Sequence, residues 1–361
     1  MAATTLNVGE VGGMIRHPNA PTLVEVAKTC GVSELLAGGV SECTILDLQD
    51  SLLNSGSLSN SSAPQHRNTT NTLLRLTEVL RQGEAASPQL RSLVLSGLPL
   101  ADDGAAMLAP AFPLHPSLFA VRMDSCGIGP RGAEAIASAL TSGAAVRSLS
   151  LSWNAVGAAG ATAVADALRQ NGSRVSRLYL SHCEVGSDGA AALAAAIGAG
   201  SPLTELVLDQ NGVSDTGARA FAHALSAAPA LQILDLGYNH VTHEGASALA
   251  ASLAQNGALH SLWLASNNIA DQGARAFGAM LPSNRALRAL GLWGNGIGCS
   301  GADALERGLR RNTVLSQLLL AHNDLETATD ITERIDEVIT RNAEAHKLTG
   351  TELGSLERDE L

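Results

Sequence analysis

Leu231-Gln232-Ile233-Leu234-Asp235-Leu236-Gly237-Tyr238-Asn239-His240-Val241 is one copy of a pattern, L-x-x-L-x-L-x-x-(N/C)-x-(I/V/L), that returns along the whole chain. Its copies start at Leu90, Leu118, Val146, Val175, Leu203, Leu231, Leu259, Leu287 and Leu315. Successive starts lie 28 residues apart, except for one step of 29. A period of this length marks a stacked-repeat architecture. Fourteen residues into each of the first eight units stands a glycine followed by alanine: Gly104, Gly132, Gly160, Gly189, Gly217, Gly245, Gly273 and Gly301. The run that follows, as at 246–253, places Leu249 and Leu253 four apart on one helical face. Each unit therefore predicts a strand, a turn and a helix.

These residues resemble the leucine-rich repeats of the ribonuclease-inhibitor subfamily, seen also in Ran GTPase-activating proteins and in the sensor regions of NOD-like receptors. The resemblance covers residues 90–326. It implies an α/β fold, a curved leucine-rich-repeat solenoid or horseshoe with parallel strands on the concave face and helices on the convex face. Such a fold serves many functions, so activity has to be argued from individual residues.

The physical basis for that shape is plain in the pattern. Leucines at positions four and six of the 11-residue core, such as Leu206 and Leu208 or Leu234 and Leu236, point to the same side of a strand and enter the core. Parallel strands sit about 4.8 Å apart and packed helices about 8–10 Å, so the array bends with the strands inside. Alanine and glycine on the helices moderate the bend, in keeping with 45% hydrophobic residues but only 2% aromatics. At position nine, Asn154, Asn211, Asn239, Asn267, Asn295 and Asn323 are expected to bond backbone groups that the turn leaves unpaired, with Cys126 and Cys183 in the same slot.

Four segments follow: an N-terminal helical cap over 1–42, with the run Leu23-Val24-Glu25-Val26-Ala27; a degenerate first repeat over 43–89; the repeat array over 90–326; and a C-terminal capping helix with a loose tail over 327–361. The degenerate repeat keeps Leu46, Leu48 and Leu53 but carries a Ser/Asn-rich insertion at 54–71 before a helix at 72–82. The C-terminal helix sets Ile331, Ile335, Val338 and Ile339 on one face, as a solenoid end requires.

The five cysteines, an odd number in scattered positions, predict free thiols in a reducing compartment rather than a disulfide framework. With no apolar signal region after Met1, the expectation is a cytoplasmic monomer. Asn60, Asn68 and Asn171 then head sequons that go unused, and Arg358-Asp359-Glu360-Leu361 is an accidental retrieval signal. A net charge of −11, from 23 basic and 34 acidic residues, argues against nucleic acid. No membrane span is expected.

Catalytic and nucleotide-binding motifs are absent from the sequence, and no cofactor or metal site is expected. His240 and His243 lack a third ligand, so loop histidines are the reading preferred to zinc. The informative residues are aromatic. Tyr179 and Trp263 occupy position five, Trp293 position seven, Trp153 and Tyr238 position eight, all on or beside the concave face, whereas Phe112, Phe221 and Phe277 fall in the helical core. Charge is zoned along the same face, with Arg122, Arg147 and Arg177 first, Glu205, Asp209 and Asp235 next, and Trp263, Arg288 and Trp293 last. The resulting candidate protein-binding set is Trp153, Tyr179, Asp209, Asp235, Tyr238, Trp263, Arg288 and Trp293, with Trp263 and Trp293 expected in one patch flanked by Tyr238 and Arg288. His182 and His322, at position eight, are expected as rim contacts. The function expected is non-enzymatic recognition of a protein ligand. The alternative is a Ran-type GTPase activator acting on a small GTPase, for which Arg122, Arg147 and Asn154 are the nearest candidates.

Overall fold

A computed structural model describes residues 29–31, 42–48, 65–85, 88–170 and 173–348. Its strands are β1 (Thr29–Cys30), β2 (Ile45–Asp47), β3 (Ser92–Val94), β4 (Ala120–Arg122), β5 (Ser148–Ser150), β6 (Arg177–Tyr179), β7 (Glu205–Val207), β8 (Ile233–Asp235), β9 (Ser261–Trp263), β10 (Ala289–Gly291) and β11 (Gln317–Leu319). Its helices are α1 (Gln65–Arg81), α2 (Ala101–Leu108), α3 (Pro130–Thr141), α4 (Gly157–Leu168), α5 (Gly186–Gly198), α6 (Asp215–Leu225), α7 (His243–Leu253), α8 (Ala270–Met280), α9 (Cys299–Leu309) and α10 (Thr329–Leu348). All eleven strands form one parallel sheet in chain order. Register is kept position for position, so that Leu206, Leu234, Leu262 and Leu290 line up across β7 to β10. Leu206, Leu208, Leu234 and Leu236 are fully buried. Among the described residues no helix is long and apolar enough to cross a membrane.

The Gly-Ala signature is a close-packing device. A Cβ at Gly245 would lie 2.9 Å from both the Ala218 Cβ of the preceding helix and Val241 Cγ1 of its own turn, closer than carbon atoms tolerate. Glycine is thus needed for the bulk it lacks. Further along the convex side, a Cβ on Gly308 would overlap the Gly278 backbone, so α8 and α9 touch main chain to main chain.

The asparagine ladder forms as its spacing predicts. Asn239 Oδ1 accepts from the backbone N–H groups of Asn211 (3.0 Å) and Val213 (2.9 Å), while its Nδ2 donates to the Leu208 and Gly237 carbonyls. Cys126 and Cys183 fill the slot with thiols that donate to the Leu95 and Leu151 carbonyls at 3.1 and 3.0 Å. Burial pushes both thiols up to about 12, so neither is a nucleophile. A second ladder, not foreseen, runs behind the helices. Asn256, Asn284 and Asn312 donate to Leu225, Leu253 and Leu281 carbonyls one repeat back and accept the N–H that opens the next strand segment. Its sequence signal is Asn three residues before each late repeat start.

Neighbouring repeats also cap one another. Gly298 and Gly301, at the start of α9, donate N–H bonds of 2.7 and 2.9 Å to Asp271 Oδ1 of the previous repeat. Asp102 and Asp215 do the same for α3 and α7. A carboxylate here meets the exposed N–H groups and positive end of a helix.

The ends depart from expectation. Thr29–Cys30 is a strand within the segment expected to be a helical cap, and 23–27 lie outside the described residues. Helix α1 begins at Gln65, so 65–71 are helical where a loop was expected, and 54–64 are outside the described residues. Cys30 and Cys43 form a disulfide with their Cα atoms 5.8 Å apart, which corrects the reading of five free thiols. The error followed from missing β1, whose pairing beside β2 brings the two cysteines together. At the other end Ile335 of α10 is buried against the last repeat, Ile331, Val338 and Ile339 pack on the same core, and Asn342 donates to the Asn312 and Leu315 carbonyls. Beyond 348 the tail is outside the described residues.

Asn239→Ala is expected to lower stability by about 1–3 kcal/mol by stranding buried N–H and C=O groups, read as a lower urea midpoint. An unchanged midpoint would remove the ladder from the account.

Asp271 titrates below the ordinary carboxylate range, chiefly because the Ser300 hydroxyl donates to it, with the Gly298 and Gly301 N–H groups adding to this against the effect of burial. A depressed folded value means that the charged form stabilises the fold. That contribution is full above about pH 4 and is lost as pH falls through the lowered value. Asp271→Asn should therefore be less stable than the parent at neutral pH, and the gap should narrow in acid. Urea midpoints at both pH values test this, and a gap constant with pH would contradict it.

Candidate functional site: the concave face and its rim

Position eight of every repeat from β3 onward adopts positive φ: Gly97, Ser125, Trp153, His182, Gln210, Tyr238, Ser266, Gly294 and His322, between 50 and 79°. Each of these residues but the last donates its N–H to the position-seven carbonyl of the next repeat, as Trp153 does to Ser181 at 2.7 Å and Tyr238 to Ala265 at 2.6 Å. All nine residues, His322 of the last repeat included, sit in the left-handed region, a conformation that costs non-glycine residues about 1–2 kcal/mol. Glycine serves at Gly97 and Gly294. Bulky aromatics at the same slot, Trp153 and Tyr238, are therefore poor choices for folding, and such outliers point toward a use.

The rim aromatics are grouped with histidines. Trp153 stacks on His182 with centroids 3.7 Å apart and planes 25° from parallel. Trp293 lies 6.2 Å from Tyr238 and 4.7 Å from His322 in tilted contacts. Trp153 is 42% exposed, unusual for so large an apolar ring. Tyr238 and Trp293 come from repeats two apart, so their contact bridges the small Ala265 and Ser266 between them.

Trp263 behaves differently from its expected partner. It faces Gly291 in register on β10, where a Cβ would overlap the indole ring. Trp263 thus lies across the sheet and covers the glycine. Leu319, in register beyond Gly291, is 41% exposed and continues this apolar strip to the last strand. Arg288 precedes β10 whereas Trp293 follows it, which places them at opposite edges of the sheet. There Arg288 stands beside His260, whose basicity is lowered first by burial and then by that guanidinium.

The middle of the face is polar and tightly paired. Asp124 accepts from the Ser150 hydroxyl and from the Ser152 N–H at 3.0 Å, with Arg122 at 3.8 Å, yet burial still raises its carboxyl above the usual range. Asp209 accepts from the Ser181 hydroxyl, and Asp235, buried, accepts from the Gly237 N–H at 2.8 Å. Tyr179 has its phenol pushed up by burial and then by nearby Glu205, with which it shares a hydrogen bond. Asn154 is committed to the ladder through the Cys126 and Ile128 N–H groups and the Met123 and Leu151 carbonyls. Among the described residues no group of three or more His, Cys, Asp or Glu is placed to hold a metal ion, His240 and His243 included.

The profile described as "Leucine Rich repeat" matches residues 115–137, 146–165, 175–194, 201–222, 228–250 and 258–278. With the eleven-stranded parallel solenoid this decides the family. The chain is a leucine-rich-repeat protein. Among solved structures it is similar to leiomodin-1 actin-binding site 2, at 20% identity over 45% of this chain and 93% of that one, with a TM-score of 0.40. The yeast Rad7 and Elc1 complex matches at 17% identity over 70% of this chain and 60% of that one, with a TM-score of 0.49. The TLR13–ssRNA13 complex matches at 16% over 79% and 37%, with a TM-score of 0.41. Nothing about a ligand is carried across from these partial likenesses. No curated protein matches the chain.

Because Trp263 covers Gly291 while Trp293 stands at the rim, their alanine variants should separate. Trp263→Ala is expected to lose about 1–2 kcal/mol of stability for the apolar surface it uncovers, and Trp293→Ala less than about 1 kcal/mol. Thermal unfolding of both variants decides, and equal losses would contradict the division.

Proposed function

We propose that this leucine-rich-repeat protein is a recognition scaffold that holds a protein ligand against its concave face, without catalysis of its own. The rim cluster Tyr238, Trp293 and His322 anchors the ligand. The observation that carries this reading is the conformation at position eight, where the fold tolerates glycine yet places tyrosine, tryptophan and histidine at a steric cost. Those rings meet Trp293 at 6.2 and 4.7 Å and form a preassembled aromatic surface. Aromatic side chains give a large contact area with little entropy to lose, and they dominate binding hot spots. Trp153 and His182 supply a second such contact farther toward the N-terminal repeats, on the same rim.

The acidic residues beneath serve the scaffold more than a ligand. Asp124, Asp209 and Asp235 each accept hydrogen bonds from neighbouring residues, which fixes them to the sheet. Trp263 belongs with them as packing. In cytoplasmic extract, tagged protein should retain a partner that Trp293→Ala loses, with affinity weakened by about 2 kcal/mol or more. Glu134→Ala on the convex helix α3 should retain it. If Trp153→Ala and Trp293→Ala capture the same proteins with the same affinity as the parent, the rim is not the docking surface.

A further inference from the structure

The opposite edge of the concave sheet carries a different chemistry. We infer that the N-terminal edge of β3 to β6 docks an extended acidic segment of a protein partner. This inference uses none of the rim aromatics and stands apart from the role of the rim. Position three of β3, β4 and β5 is Ser92, Ala120 and Ser148, small and buried, aligned in register. They form a floor that crosses three strands, and Arg177 follows in register on β6 to close it. Beside the floor, at position two, stand Arg91 and Arg147, both exposed, with half-buried Phe119 between them. Main-chain bonds fix this row, since Phe119 N–H donates to the Arg91 carbonyl at 3.0 Å and Arg147 N–H to the Phe119 carbonyl at 2.7 Å.

The charges near this edge divide into used and unused. Arg122, two residues farther along β4 than the floor, has Asp124 at 3.8 Å. Arg177 has Glu205 in register on β7, but its Nε is buried without a hydrogen-bond partner. No ion pair joins Arg91 or Arg147 to a carboxylate of the described residues. Positions two and three of β3 to β6 hold three arginines and no acid, in a chain of net charge −11. A strip of fixed positive charge on a negative protein selects a short acidic ligand. The long-range field repels an extended polyanion, while screening over about 8 Å leaves a short segment subject to the local arginines. The three spacings from β3 to β6, about 4.8 Å each, give room for roughly four extended residues, and Phe119 offers an apolar contact between the two guanidinium groups.

The test is fluorescence polarisation of a labelled oligoglutamate peptide on the full chain. A Gly-Ser peptide and an oligolysine peptide of equal length serve as controls, and inorganic phosphate and a single-stranded oligonucleotide as competitors. Oligoglutamate should bind, weaken as salt rises, and lose at least about tenfold in affinity in the Arg91→Glu/Arg147→Glu double variant, whose melting temperature should match the parent because both side chains are exposed. Arg147→Gln should show a smaller loss, and Arg285→Glu, before β10, none. The inference is overturned if oligoglutamate binds no tighter than the controls, if the double variant binds it unchanged, or if phosphate or the oligonucleotide displaces it more effectively than unlabelled peptide. Loss of binding in Trp293→Ala alone would also overturn it by moving the site to the rim.

Discussion

Each repeat has to turn its chain away from a buried strand without leaving backbone groups unpaired, and the side chain at position nine meets that requirement. Asn239 ties its own repeat to the one before it, because its carbonyl oxygen takes the Asn211 and Val213 N–H groups while its amide serves the Leu208 and Gly237 carbonyls. The consequence reaches beyond hydrogen bonding. Once the turns are satisfied at a fixed depth, the strands are held in register, the leucines at positions four and six meet in layers, and the helices are delivered to a constant height. Only then does the Gly-Ala pair matter, since it lets each helix settle on the one before. Aspartates such as Asp271, reaching forward to cap the next helix, strengthen the same coupling from the convex side. Stability is therefore shared along the array, since these ladders and caps each join one repeat to the next.

That coupling also shapes the surface available for binding. Position eight extends the sheet from a left-handed backbone, so the rim carries strain at each repeat. Glycine bears this conformation at the least cost, and Ser125, Gln210 and Ser266 bear it with small or flexible polar side chains. This chain uses glycine twice and aromatic or imidazole rings four times, at Trp153, His182, Tyr238 and His322. Trp293, one position earlier, completes the larger cluster from a neighbouring strand. Position five, by contrast, looks across the sheet, and Trp263 there is absorbed by Gly291.

Architecture was legible because it is periodic: a leucine displaced by one residue breaks an eleven-residue pattern that other copies confirm. The first ladder was legible for the same reason. The second was missed although Asn256, Asn284 and Asn312 are equally regular, because attention to the strand pattern hid a signal that begins only midway along the chain. The grouping of the concave aromatics was not legible from spacing. Tyr238 and Trp293 meet across an intervening repeat whose small residues, Ala265 and Ser266, leave the gap. Trp263, one repeat before Trp293, lies over Gly291, because ring direction depends on the neighbour's volume and a glycine there invites the indole down. Non-periodic features were the least legible. Nothing in the spacing of Cys30 and Cys43 announces a disulfide until β1 is known to pair with β2.

The two edges of the concave sheet now have distinct characters, and their separation limits what a ligand can be. The arginine edge lies before the strands near β3 to β6, while the larger aromatic cluster lies after them near β8 to β11. A contact at only one of them would suit a short peptide. A ligand that engages both must cross the sheet diagonally, over the tightly paired Asp124, Tyr179 and Glu205 region, where little side-chain freedom remains to adapt to it. A rigid middle with chemically different ends favours a folded partner that presents an acidic strand or loop on one side and an apolar projection on the other. On the proposed reading, orientation comes from charge at one edge and affinity from ring burial at the other, since screened surface charges steer encounter more than they hold a complex together.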